Sequence, residues 1–179
     1  MPLKKLGVAL AAALVAAGAQ AADFVYGGDT TGGPTYQRAL ATFSSLSGLG
    51  TAVAYDTLEF TVTDSGSYDF VSEAAGGWDN YLFLYSPSFD PGAALSNGVI
   101  GNDDLGGIGT SGFSGVSLTT GVSYVLVTTG FGNGDFGSYT NTISGIGSVV
   151  AVPEPATYGM MALGLLAVGG LARRQRRAG

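Results

Sequence analysis

The sequence predicts an all-β protein whose body is an antiparallel β-sandwich of jelly-roll type with about eight strands. Three observations carry that prediction. Glycine is abundant, 31 of 179 residues, and punctuates the chain at short intervals. Between the glycines Thr, Val, Tyr and Phe recur in short runs, the composition of short strands joined by tight turns. One run, Tyr55 to Thr63, alternates strictly. Leu58, Phe60 and Val62 fall on one face, with Thr57, Glu59, Thr61 and Thr63 on the other.

Taken in order, Met1 to Ala21 reads as a secretory signal peptide. Lys4 and Lys5 form its charged start, Leu6 to Gly18 its apolar stretch, and Ala19-Gln20-Ala21 a small-x-small cleavage site. The mature chain is then expected to start at Ala22, with one domain over residues 22–147. Asp23 to Pro34 is expected to be loose, and Thr35 to Phe43 to hold a first strand before a turn at Leu46 to Gly50. Tyr55–Thr63 and Ser67–Ser72 are expected to form a hairpin across Asp64-Ser65-Gly66, with Tyr68 and Phe70 inward. Tyr81 to Tyr85 is apolar on both faces and is expected at the centre of a sheet, ended by Ser86-Pro87. Leu95 to Ile100 leads into the acidic turn Gly101-Asn102-Asp103-Asp104. Gly112–Thr119 and Val122–Thr129 are expected to be two arms around Thr120-Gly121. After the glycine loop Gly130–Gly137, Ser138 to Gly145 closes the domain with Tyr139, Asn141 and Ile143 aligned. Residues 148–155 are expected to be a linker.

Beyond it lie Pro153-Glu154-Pro155, an uncharged apolar run over 156–172, and a basic tail, 173–179, with Arg173, Arg174, Arg176 and Arg177. Two prolines around one glutamate continue neither a helix nor a strand, so they form an extended hinge. A helix over the run would be ~26 Å long, slightly short of the ~30 Å hydrocarbon core of a bilayer. Clustered arginines stay on the cytoplasmic side, which places everything before Pro153 outside the inner membrane. In this order the three features resemble the PEP-CTERM sorting signal of Gram-negative, biofilm-forming bacteria. The resemblance implies recognition by an exosortase-type membrane protease and removal of the tail near Pro153, Glu154 and Pro155. It also implies transient membrane contact through 156–172, and passage of the body to the cell surface or extracellular matrix. The alternative is a C-terminal anchor that is never processed.

Charge and composition narrow the chemistry. Between Ala22 and Val152 there are twelve acids and one base, Arg38, a net charge of about −11. A body so acidic repels phosphate backbones, which excludes nucleic acid as a partner. The chain has no Cys and no His, and its only lysines lie in the signal peptide. Ser-His-Asp triads, cysteine nucleophiles, Schiff-base lysines and His/Cys zinc sites are therefore excluded. Carboxylate chemistry remains: a pair of acids, or oxygen ligands for a hard cation.

Two loops share the pattern Gly-Asn-x-Asp-x-Gly, at 101–106 and 132–137. Hard cations take six to eight oxygens, and glycines let a loop turn its carbonyls toward one point. The candidate site is a structural Ca²⁺ site of Asp79, Asn80, Asp103 and Asp104, with Asp135 as a further ligand. The alternative is that these residues only make turns and cap their own amides. A glycosidase pair, Asp103 with Asp104 or Asp79 with Glu73, would need carboxyls held across a sugar-sized cleft. Adjacent acids on one turn rarely face one site, so the protein is expected not to be an enzyme. Trp78, the only Trp, is the candidate platform for extracellular polysaccharide, against the ordinary alternative of a packed ring. Arg38 is expected to pair with a carboxylate.

The stretch Trp78-Asp79-Asn80-Tyr81-Leu82-Phe83-Leu84-Tyr85, then Asn102-Asp103-Asp104, Gly121 to Val127 and Gly137-Ser138-Tyr139-Thr140, resembles bacterial pre-peptidase C-terminal domains. That resemblance covers roughly Leu58 to Ile143. It implies a small non-catalytic jelly-roll sandwich whose relatives include binders of calcium or extracellular polymers. No peptidase precedes the domain here, so an appendage role does not carry over. The expected function is a non-enzymatic exported component of the biofilm matrix, structural or adhesive. The alternative is a carbohydrate-binding module of that matrix.

Overall fold

The computed structural model describes residues 22–153. The expected signal peptide with Ala19 and Ala21, Glu154 and Pro155, the apolar run 156–172 and the four tail arginines lie outside the described residues. Among the described residues no helix is long and apolar enough to cross a membrane.

The body is all-β and built from two antiparallel sheets. Its strands are β1 (Phe24–Asp29), β2 (Thr35–Tyr36), β3 (Val53–Val62), β4 (Gly66–Ala74), β5 (Asn80–Tyr85), β6 (Gly98–Asn102), β7 (Thr110–Leu118), β8 (Tyr124–Gly130), β9 (Ser138–Gly145) and β10 (Val149–Ala151). A four-stranded sheet runs β1-β9-β4-β7. A six-stranded sheet runs β10-β3-β8-β5-β6, with β2 also beside β3.

The alternation of apolar residues explains the main core. Phe60 and Val62 of β3, Leu82 and Leu84 of β5 and Leu126 of β8 meet Tyr68 and Phe70 of β4 and Ile143 of β9 between the sheets. Each points inward because side chains alternate along a strand. The uniformly apolar β5 needs cover on both faces. On its other face Tyr81, Phe83 and Tyr85 pack with Tyr36, Val125 and Val127, and the loops around Phe43, Phe89 and Phe131 roof this second core. The central position expected for Tyr81–Tyr85 is what the structure shows: β5 lies between β8 and β6.

The two expected hairpins are both absent. β3 pairs with β8, β10 and β2, whereas β4 pairs with β7 and β9, so Asp64-Ser65-Gly66 carries the chain from one sheet to the other. Thr119 to Val122 does the same between β7 and β8. Period-two alternation states which face a strand buries, not which sheet it joins, and both arms face one interior in either arrangement. A tyrosine holds each crossing. The Tyr68 hydroxyl donates to Asp64 O at 2.8 Å, and Thr119 N donates to the Tyr124 hydroxyl at 2.9 Å.

Three segments expected without this structure are strands or differ in length. Asp23 to Pro34 contains β1, which pairs with β9 along its whole length, Phe24 opposite Ile143 and Tyr26 opposite Asn141. Gly28 fits there because a Cβ would collide with the Tyr139 ring and the Asp56 carboxylate. Within Thr35–Phe43 only Thr35 and Tyr36 pair. In the expected linker, Val149–Ala151 pair with β3, Val149 opposite Val62 and Ala151 opposite Phe60.

Candidate functional site

Three loops meet at one end of the sandwich: Ala75 to Asp79 before β5, Asp103 to Gly109 between β6 and β7, and Phe131 to Gly137 between β8 and β9. Backbone bonds fasten them, Phe131 N to Asp79 O at 2.9 Å and Ala74 N to Gly109 O at 2.9 Å. Gly130 permits the third loop to close, since a Cβ there would strike the Asp135 carbonyl.

This junction gathers the acids singled out from the sequence. Asp79 Oδ1 and Asp103 Oδ1 are both buried with no hydrogen-bond partner. Burial raises the pKa of each. For Asp79 the charges of Asp135 and Asp104 add to this. For Asp103 those of Asp79 and Asp104 add, and its pKa is pushed up to about 6. Arg38 acts against the rise at both positions. Asp104 is exposed. Asp135 is engaged within its own turn, its Oδ2 accepting from Gly132 N at 2.9 Å. Asn80 departs from the set. It lies on the other face of β5, fully buried, and its amide nitrogen donates to Ser72 O at 3.1 Å and to Ser72 Oγ at 3.0 Å. Among the described residues no group of three or more acidic side chains is placed to hold one metal ion.

Arg38 behaves differently from the expected ion-paired residue. It is 2 % exposed and donates to backbone carbonyls, Nε to Phe131 O at 2.9 Å and Nη1 to Ala39 O at 3.0 Å. Its guanidinium lies 4.3 Å from the centroid of Tyr81 and 4.9 Å from that of Phe131. An aromatic face attracts a guanidinium, and the two carbonyls satisfy part of its fork of donors. The cation thus sits under the acidic junction and reaches Asp79 and Asp103 through its field.

Trp78 is half-buried. Its indole Nε1 donates to Ser138 O at 3.1 Å, and a Cβ at Gly137 would lie 2.8 Å from Nε1. The ring is packed on the Gly137 backbone instead of standing free.

A second feature lies where the chain leaves the body. An open groove of about 430 Å³ is lined by Leu58, Glu59, Phe89 and Val125, and by Val152 and Pro153. Val152 N donates to Glu59 O at 2.8 Å, one residue before Pro153. No sequence signal marked this groove, because β10 was expected to be linker and residues around Pro87 to be only a strand end.

Residues 151–177 match the family described as the PEP-CTERM protein-sorting motif. The chain therefore carries this motif, which marks an exported protein sorted to the cell surface and implies processing by an exosortase. The match begins at β10 and leaves the rest of the β-rich body without a named family. No curated protein matches the chain.

Proposed function

We propose that the protein is a non-enzymatic matrix or adhesion component, delivered by its sorting motif to the cell surface or extracellular matrix. The β-sandwich is the cargo, a jelly-roll-type module akin to pre-peptidase C-terminal domains, and the tail is the handle that an exosortase removes. The observation that carries this reading is the match over residues 151–177, joined through β10 to a folded body. The test is replacement of Pro153, Glu154 and Pro155 by alanine in the host cell. The variant is expected to stay in the inner membrane with its tail intact, and release equal to that of the parent chain would overturn the sorting role.

A Ca²⁺ site belongs to this reading in a reduced form, centred on Asp79 and Asp103. Their two unpartnered oxygens favour it, since a divalent cation offsets the mutual repulsion that burial enforces. Backbone carbonyls and water would supply the remaining oxygens. Polysaccharide binding through Trp78 is the less supported alternative. A stacking platform needs a free ring face and edge, whereas this indole is half-buried and its N–H is bound to Ser138 O.

A further inference from the structure

We propose that residues 148–152 are a detachable strand, and that β10 must leave β3 before the sorting protease can cut. The inference rests on the sorting function proposed above and adds a gate to it. The strand is bonded up to the edge of the motif. Ser148 N donates to Thr63 Oγ1 at 2.9 Å, Thr63 N to Ser148 O at 3.0 Å, and Val152 N to Glu59 O at 2.8 Å. Pro153, the first proline of the Pro-Glu-Pro triplet, already lines the groove beside Leu58, Phe89 and Val125.

This leaves little free chain. From Val152 to Ala156, where the apolar run begins, the extended chain reaches at most about 14 Å. A docked β10 therefore holds the folded body close against the enzyme and the membrane. Extended peptides are commonly held by adding a strand edge to their receptor. In β10 the edge toward β3 is already taken, so while it is paired any receptor that grips these residues on both sides must first displace β3.

The strand is also built to come away. It has three residues, Val150 is 49 % exposed, Ala151 is exposed, and only Val149 packs against the main core. Short elements with few apolar contacts open locally at small cost while the rest of the domain stays folded. After cutting, the strand returns and covers the edge of β3, which would otherwise offer free backbone groups to other chains.

A disulfide lock tests the gate in the full chain. Thr61 and Val150 are opposed in the register, and the protein has no cysteine of its own. In cells that make the protease, T61C/V150C is expected to accumulate as uncut precursor once the bridge is confirmed by gel shift. The single variants, and the double variant after reduction, are expected to be trimmed. A spacer of about six glycine and serine residues between Val152 and Pro153 should restore cutting of the bridged chain by supplying free length. Trimming of the bridged chain at the parent rate overturns the gate, as does failure of the spacer or of reduction to restore it. Those results leave sorting itself standing. Trimming of the variant with all three motif residues changed to alanine would remove the sorting reading instead.

Discussion

Asp79 and Asp103 each bury one carboxylate oxygen without a hydrogen-bond partner, and the charge of Asp79 adds to the hold of Asp103 on its proton. Desolvation is the larger cause at both, so the charged forms are disfavoured in the folded state. The sign for stability follows from linkage. A carboxyl whose folded pKa is raised binds protons more tightly folded than unfolded. Its contribution is fully present below the unfolded value near 4, and is lost as pH rises through the folded value of about 6. Asp29 works in the opposite sense. It is exposed, accepts from Ser138 Oγ and Thr31 N, and its pKa is lowered, so its contribution is lost as pH falls. The melting temperature is expected to peak on the acid side of neutral. Asp103→Asn should flatten the fall between pH 4 and 7 and stabilise the protein at pH 7. Discounted for solvent screening at a half-buried site, the gain is about 1 kcal/mol. Thermal melts across pH check it, and a variant less stable than the parent at pH 7 would contradict the assignment.

Calcium acts on the same pair. If the cation sits between Asp79 and Asp103, its binding is linked to folding and raises the melting temperature with concentration. The rise should be largest above pH 6, where Asp103 is deprotonated, and should vanish in Asp103→Asn. EDTA should return the melt to its starting point. An unchanged melting temperature through a millimolar Ca²⁺ series would remove the metal from the reading.

Arg38 gives a prediction that separates packing from field. Lys cannot reproduce a planar fork that reaches two carbonyls and stacks between two rings. Arg38→Lys should therefore destabilise the body by about 2–3 kcal/mol in urea unfolding. Arg38→Met keeps much of the volume and removes the charge. In that variant Asp103 should titrate above the parent value of about 6, because the opposing positive field is gone. A carboxyl titration by NMR that places Asp103 at its parent value would show that the guanidinium does not reach it.

Much of this molecule is legible in local pattern, and the parts that are not share a physical cause. Leu58, Phe60 and Val62 alternate because one face of β3 is buried, and an uninterrupted Tyr81–Tyr85 demands cover on both sides. Pairing is a different matter: nothing in the Asp64 or Thr120 turns states whether the next strand returns beside the last or crosses to the other sheet. β1 was hidden by Gly27 and Gly28, which are there to admit Tyr139 rather than to loosen the chain. β10 was hidden by its brevity. At the site, the gathering of Asp79, Asp103, Asp104 and Asp135 follows from loops that share one end of a sandwich. Asn80 falls away because one step along a strand reverses the face. The place of Arg38 could not be read, since its ring partners lie 43 and 93 positions away and meet it only in the folded second core.

The two tyrosine corners offer the last prediction. Tyr68 and Tyr124 each stand just after a crossing and tie their hydroxyls to the backbone of the turn, at Asp64 O and Thr119 N. Their rings belong to the main core, so Tyr→Phe keeps the packing and removes only the hydrogen bond. Each such loss is expected to lower stability by about 1 kcal/mol. The two turns are bonded to each other, Thr120 N donating to Ser65 Oγ at 2.9 Å and Thr120 Oγ1 to Thr63 O at 3.3 Å, so the double variant should depart from the sum of the two. The consequence differs in kind from a core deletion: native-state hydrogen exchange should quicken first at the amides flanking Asp64 in Tyr68→Phe and at Thr119 in Tyr124→Phe. Equal acceleration throughout the two sheets in either variant would mean that the hydroxyl supports the core as a whole and does not hold a corner.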